Sequence, residues 1–212
     1  VDETIPSIIR GLIISGPGGV GKTHYVEKGL QEHVEASNIR RLKGDITSAG
    51  LYVELCLTQE KGSLLVLDDV NLLTKGAQER SAILSLLKAA TETNATNRKV
   101  TWTRAKANPL LEELGFGSEI EYHGSVIWIT NNTFEEMEKR MGSDYTAIMS
   151  RFYRAEIRMS IEDKTAYTLY LIQEQGFFGE NCSVRKGGFP QETIDTLVEY
   201  MFDNYNKFED MA

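Results

Sequence analysis

Gly16-Pro17-Gly18-Gly19-Val20-Gly21-Lys22-Thr23 lies between the apolar run Ile8 to Ser15 and a stretch with helical spacing from Thr23 to Ala36. It fills the pattern G-x-x-x-x-G-K-[ST], and its surroundings are those its chemistry needs. A buried strand delivers the chain to a loop whose glycines let backbone N–H groups wrap around phosphate oxygens. The helix that follows adds the positive end of its dipole. Lys22 is placed to reach the β and γ phosphates, and the Thr23 hydroxyl to hold Mg²⁺. All eight residues are therefore candidate nucleotide-binding positions, with ATP and Mg²⁺ as the implied cofactors. A plain glycine-rich turn is the competing reading, and the strand-loop-helix setting argues against it.

A phosphate loop needs an acidic partner on a neighbouring strand. Leu64-Leu65-Val66-Leu67 is a short buried run ending in Asp68-Asp69, which puts Asp68 in position to hold Mg²⁺ and Asp69 to polarise an attacking water. Ile39 to Leu42 reads as a second strand and Ser125 to Ile129 as a third apolar one, ending in Thr130-Asn131-Asn132. Between them, Tyr52 to Leu57 and Ala77 to Thr91 carry helical patterns; in the latter Ile83, Leu84, Leu86, Leu87 and Ala90 share one face. Strands alternating with helices predict an α/β, doubly wound, mainly parallel sheet of P-loop type over residues 1–158. Beyond Arg158 only helical patterns remain, Ile161 to Gln175 and Gln191 to Phe208, so residues 159–212 are expected to form a small C-terminal helical subdomain.

Composition narrows the setting. The chain has 212 residues, 41% of them hydrophobic and 25% charged, which excludes collagenous, disordered and disulfide-scaffold classes. Cys56 and Cys182 stand far apart with no C-x-x-C spacing, as expected of small buried side chains in a reducing compartment. His24, His33 and His123 have no metal-ligand spacing. The net charge of −8 argues against a protein whose whole surface coats nucleic acid. No apolar run reaches the roughly 18 residues of a membrane span, and the N-terminus lacks signal-peptide order. The expected location is cytoplasmic, the host cytoplasm for a phage-encoded chain, and Val1 in place of an initiating Met leaves room for an upstream segment.

The phosphate loop, the Asp68-Asp69 strand, the later strand Val126-Ile127-Trp128-Ile129-Thr130-Asn131 and the segment Ser150-Arg151-Phe152 occur in an order that resembles the AAA+ ATPases. The likeness covers about Ile8 to Arg158 and extends loosely to small phage-type or replication-linked members. It implies that Asn131 is the sensor between the γ phosphate and the acidic strand, and that Arg151, with Arg154 as second choice, is the finger donated to a neighbouring subunit. It also implies a homo-oligomeric ring, a hexamer by the family's pattern, with residues 159–212 as a lid. Many relatives carry Glu where Asp69 stands. A second sensor arginine is missing from Thr193 to Tyr200, with Arg185 or Lys186 as substitutes, and Lys43-Gly44-Asp45-Ile46-Thr47 occupies the place of a polar residue that communicates with the acidic strand.

Residues 94–124 form an insertion between the third helical pattern and the last strand. From Asn94 to Leu111 it carries Arg98, Lys99, Arg104 and Lys106 with no acid, a local charge of +4 interrupted by Trp102. Alternation in Val100 to Arg104 and in Ile120 to His123 predicts an inserted hairpin, and basic side chains around one aromatic are what a sequence-tolerant contact to single-stranded or duplex DNA uses. The competing reading packs Trp102 into the core and leaves a solvated hairpin. Together these expectations describe an ATP-hydrolysing AAA+ protein acting as a DNA-directed motor or loader of helicase kind. A protein-remodelling ATPase with a protein partner, a nucleotide-dependent interaction module and a P-loop kinase remain the alternatives.

Overall fold

The computed structural model describes residues 10–70, 72–93, 98–103, 109–179, 182 and 187–204. The chain divides after Ile157 into two compact units. In the first, five strands form one sheet: β1 (Gly11–Ser15), β2 (Ile39–Lys43), β3 (Leu64–Asp68), β6 (Ser125–Thr130) and β7 (Tyr153–Glu156), in the order β2-β3-β6-β1-β7. Every pairing is parallel. The α/β doubly wound sheet expected from the alternation of strands and helices is present. β7, which had no signal beyond the Ser-Arg-Phe segment before it, supplies the edge next to β1.

Burial explains why these runs are strands. All five residues of β3 are buried, and their side chains alternate between two cores. Leu64 and Val66, with Ile39 and Ile129, pack under Val26, Leu30 and Val34 of α1 (Lys22–His33) and its end. Leu65 and Leu67, with Ile13, Val126 and Trp128, belong to the larger core on the opposite face. That core is closed by α2 (Ser48–Leu57), α3 (Ala77–Ala90), α5 (Phe134–Met141) and α6 (Ser143–Met149) through Leu51, Tyr52, Ile83, Leu84, Met137 and Ile148. A continuous apolar run is thus required by helices on both sides, and the first core is completed by the helix that starts at the phosphate loop.

The insertion differs from a simple hairpin. β4 (Lys99–Thr101) and β5 (Glu119–Glu121) do pair antiparallel, Val100 opposite Ile120, but only three residues long each, and α4 (Pro109–Glu113) lies between them. The insertion is anchored through its apolar side: Val100, Leu111, Ile120 and Tyr122 are buried. Its return to β6 is tight at Gly124, where a Cβ would stand 2.2 Å from the Thr58 carbonyl oxygen and 2.9 Å from the Tyr122 hydroxyl.

The second unit contains α7 (Ile161–Gln173) and α8 (Gln191–Asn204). Ser160 and Asp163 cap α7 reciprocally, each side chain bonding the other's backbone N–H at 3.1 and 3.0 Å. Phe178 and Phe189 meet edge to face at 5.6 Å in the connection between the helices. Arg185 and Lys186 lie outside the described residues. α8 carries Glu192, Asp195, Glu199 and Asp203 and no basic residue. Among the described residues, no helix is long and apolar enough to cross a membrane.

Because the atom facing Gly124 most closely belongs to the backbone, the site cannot yield by rotating a side chain. Gly124→Ala is expected to lose about 1–3 kcal/mol of stability, the usual cost of overpacking. Urea unfolding followed by circular dichroism measures it, with Gly62→Ala as a control at an open position whose cost comes from its positive φ alone.

Candidate nucleotide site

Three adjacent strands, β3, β6 and β1, end side by side, and the chemistry gathers beyond their carboxyl ends. β1 runs into the phosphate loop. Gly19 and Gly21 take left-handed φ values of 77° and 80°, which side chains with a Cβ adopt only with strain. A Cβ at Gly18 would meet no atom within 4 Å, so the loop leaves open space above its backbone. A cleft of about 510 Å³ lies there, lined by the loop, His24, Lys43, Asp68, Asp69 and Asn131. The structure therefore brings together Gly18, Gly19, Val20, Gly21, Lys22, Thr23, Asp68, Asp69 and Asn131. Gly16 and Pro17 form the base of the loop, where their carbonyls accept from Lys22.

The hydrogen bonds of this cleft form a chain. The Lys22 ammonium donates to the carbonyls of Gly16 and Pro17 at 2.8 and 2.7 Å and to Asn131 Oδ1 at 2.7 Å. Asn131 Nδ2 in turn donates to Asp69 Oδ1 at 3.1 Å. One amide thus joins the phosphate-loop lysine to the acidic strand, and each end of that amide has a partner that matches its polarity. Lys22 is 7% exposed. Desolvation lowers its pKa from the usual lysine value, while the charges of Asp69 and Asp68 act in the opposite direction.

A second group centres on Asp68, which is 4% exposed. Thr23 Oγ1 donates to its Oδ1 at 2.8 Å, and the Lys43 ammonium lies 2.7 Å from its Oδ2. That carboxylate raises the Lys43 pKa, first through the hydrogen bond and then through its charge. A hydroxyl and a buried carboxylate adjacent at the mouth of a phosphate cleft are oxygen donors of the kind Mg²⁺ accepts while keeping several waters. The donor set fits the ion. Among the described residues, no three His, Cys, Asp or Glu side chains gather to make a metal cage.

Asp69 is the one non-glycine residue with positive φ among the described residues, at 53°. Asp tolerates this region better than most residues, and the conformation turns the chain sharply out of β3. Its backbone N–H bonds the Ile129 carbonyl at 3.3 Å, which ties the turn to β6. Asn131 is placed by a similar tie: the buried Ser15 donates to the Asn132 carbonyl at 2.7 Å, and Thr130 Oγ1 accepts from both nitrogens of Asn132.

Other candidates lie away from this cleft. Arg151, at the end of α6, donates from Nη2 to Glu92 at 2.8 Å and from Nη1 to the Ala147 carbonyl at 2.8 Å. Arg154 stands exposed on β7 beside Ile13. Of the basic stretch of the insertion, the described residues face different ways. Arg98 is 8% exposed and donates to the Glu92 carbonyl; burial lowers its pKa, and the like charge of Arg10 adds to the effect. Lys99 is bonded to Glu119 at 2.8 Å across β4 and β5. Trp102 packs against the core with its ring 5.4 Å from Tyr52. Sequence proximity put these side chains together; tertiary burial and cross-strand pairing separate them. Arg104 and Lys106 lie outside the described residues.

Lys43 was legible only as part of a polar segment. The signal was parallel register, since Lys43 stands opposite Asp68 in the β2–β3 pairing. Reading the strand as ending at Leu42 stopped one residue short of it.

No protein-family model matches the chain. It is 29% identical over 209 residues to an uncharacterized 36.7 kDa protein in the nrdC-mobD intergenic region of Enterobacteria phage T4, covering 96% of this chain and 60% of that protein. The chain thus spans less than two thirds of that relative's length. Among solved structures it is similar to a DNA replication initiation factor, with TM-score 0.41, 14% identity and coverage of 91% of this chain and 50% of that one. It is also similar to NtrX from Brucella abortus in complex with ATP, with TM-score 0.42, 14% identity and coverage of 82% and 38%. At these scores the chemistry of the cleft rests on its residues, not on either likeness.

Asp69→Asn preserves the side-chain length, the tolerance of positive φ and an oxygen for Asn131, and removes only the basic carboxylate. Nucleotide binding should persist while turnover falls about 10²–10⁴-fold, the usual worth of a positioned base. Asp69→Ala should in addition lose about 1–2 kcal/mol of stability through its left-handed backbone. Single-turnover kinetics and denaturant titration separate the two effects.

Proposed function

We propose that this chain is an ATP-hydrolysing P-loop protein of AAA+ type that turns over nucleotide as a homo-oligomer, with the helical unit at residues 159–212 serving as a lid. The observation that carries the reading is the bonded path from Lys22 through Asn131 to Asp69. In a phosphate site such a path connects the group that meets the terminal phosphates to the carboxylate that would accept a proton from water. A kinase has no need of that link, because its acceptor is a bound substrate rather than a water held on the acidic strand.

Each side chain then has a task. The loop N–H groups and Lys22 bind and orient the phosphates, and the geometry of Gly19 and Gly21 keeps Cβ atoms out of their way. Thr23 and Asp68 would hold Mg²⁺, which when bound neutralises charge on the phosphate oxygens. Asp69 accepts the proton as the water oxygen forms its bond to the γ phosphorus and the bond to the leaving ADP oxygen breaks. Asn131 holds Asp69 at a set angle and shares its amide oxygen with Lys22. Arg151, from the neighbouring subunit, supplies the positive charge that the transferring phosphoryl group needs.

A DNA-directed motor is the role the inserted hairpin favours, and among its described basic residues Arg98 is buried while Lys99 is exposed and paired with Glu119. DNA therefore enters as an arm of the test. The readout is steady-state ATP turnover against protein concentration, with no DNA, single-stranded DNA or duplex DNA. Turnover should rise more steeply than linearly with protein, Lys22→Ala should lose nucleotide binding, and Arg151→Ala should bind nucleotide normally while turnover falls about a thousandfold or more. A rate linear in protein and indifferent to Arg151→Ala would overturn the oligomeric reading. Stimulation by either DNA would support the DNA-directed role.

A further inference from the structure

Three arginines distant in sequence converge on one residue of this chain. Glu92 follows the last turn of α3. Its backbone carbonyl accepts from Arg10, at the entry to β1, and from Arg98, at the start of the insertion, at 3.4 Å. Its carboxylate is held as well: Oε1 accepts from the Thr93 N–H at 2.9 Å, and Oε2 accepts from Arg151 at 2.8 Å. The backbone of Glu92 is therefore tied from two sides, and one carboxylate oxygen is presented to Arg151. The two side chains are 31% and 26% exposed.

We propose that Glu92 is a positioning residue that restrains Arg151, so that the finger reaches a neighbouring nucleotide only when its bond to Glu92 opens. The inference rests on the reading of Arg151 as the finger. A finger works by bringing uncompensated positive charge to the transferring phosphoryl group. Bonded to Glu92, the guanidinium forms a neutral pair; its Nη1 is engaged by Ala147, and its Nε is buried without a partner. In that pose it has little charge to offer, and oligomer formation has to compete with the pair for Arg151. An ion pair open to solvent on one side is weak enough for phosphate oxygens to outcompete it.

The packing lets this bond open without disturbing the fold. α3 and α6 are joined independently by Lys88 and Asp144 at 2.9 Å and by Leu84, Leu87 and Ile148, which are fully buried. Arg10 and Arg98 bond the Glu92 backbone, so a change of its side chain leaves both contacts in place.

The test uses Glu92→Gln, Arg151→Ala and the double variant, in sedimentation and ATP-turnover series over protein concentration with Mg²⁺ and a non-hydrolysable ATP analogue or ATP. Glu92→Gln should lower the protein concentration for half-maximal assembly and turnover by up to about fivefold, the most that an exposed pair is usually worth, with unchanged nucleotide affinity. The double variant should behave as Arg151→Ala, which shows that the gain passes through the arginine. Unchanged midpoints in Glu92→Gln, or a loss of turnover, would overturn the restraint; the loss would mean that Glu92 holds the finger in its working pose. A gain that survives in the double variant would also overturn it. Should Glu92→Gln melt early, Glu92→Asp, which keeps the charge and shortens its reach, is expected to move both midpoints in the same direction. If Arg151→Ala alone leaves turnover unchanged, the finger reading fails, an outcome separate from any result with Glu92.

Discussion

Parallel register across the sheet is the constraint on which the site depends. Lys43 stands opposite Asp68, Asp68 opposite Ile129, and Ile129 opposite Ile14, so the carboxyl ends of β2, β3, β6 and β1 finish level. Whatever follows those four ends emerges at one height above the sheet. A shift of one residue in β3 would exchange its two buried faces, moving Leu65 and Leu67 from the larger core to the face under α1 and carrying Asp68 away from Thr23. The apolar packing that fixes the register thereby fixes the cleft, and the phosphate loop needs no separate framework.

The cleft then has to hold like and unlike charges close together. Two lysines and two aspartates line it, and each is tied to an opposite charge or to an amide dipole. Asp68 meets Lys43, while Asp69 and Lys22 meet through Asn131. A direct Lys22–Asp69 ion pair would satisfy the same charges but would take the lysine from phosphate at the cost of breaking a desolvated contact. An intervening amide keeps both groups oriented and leaves Asp69 with acceptor capacity to spare, while the three Lys22 donors are taken by Gly16, Pro17 and Asn131. Ser15 and Thr130 have no visible chemistry in the sequence; here they secure the turn that carries this amide.

What the sequence revealed follows from the range of the interactions. The phosphate loop, the acidic strand end and Asn131 are each signalled by a local pattern, an apolar run followed by polar residues of particular type. The two-faced burial of β3 is legible for the same reason. Lys43 is not, because its partner is 25 residues away and only the strand register joins them. Nor could local charge foretell the insertion: +4 over a short segment says nothing about which side chains turn inward, and Arg98 does so to bond a carbonyl while Trp102 packs tilted against Tyr52. β7 was missed because Tyr153-Arg154-Ala155-Glu156 has three exposed residues in four; as an edge strand it is held by β1 on one side and has no need of an apolar run.

The positions of the charged residues separate two kinds of burial. Arg98 is nearly enclosed, and its guanidinium keeps a buried nitrogen without a partner; its removal would leave the Glu92 carbonyl to Arg10 and open space at the start of the insertion, so its contact helps to hold the insertion to the sheet domain. Arg151 retains about a quarter of its side-chain surface and bonds a carboxylate that is itself partly exposed. A contact that served stability alone would gain by closing over completely or by giving way to apolar side chains of the same volume. An ion pair left half open at the end of α6, beside an independently packed helix pair, can instead exchange one partner for another while the fold stays intact.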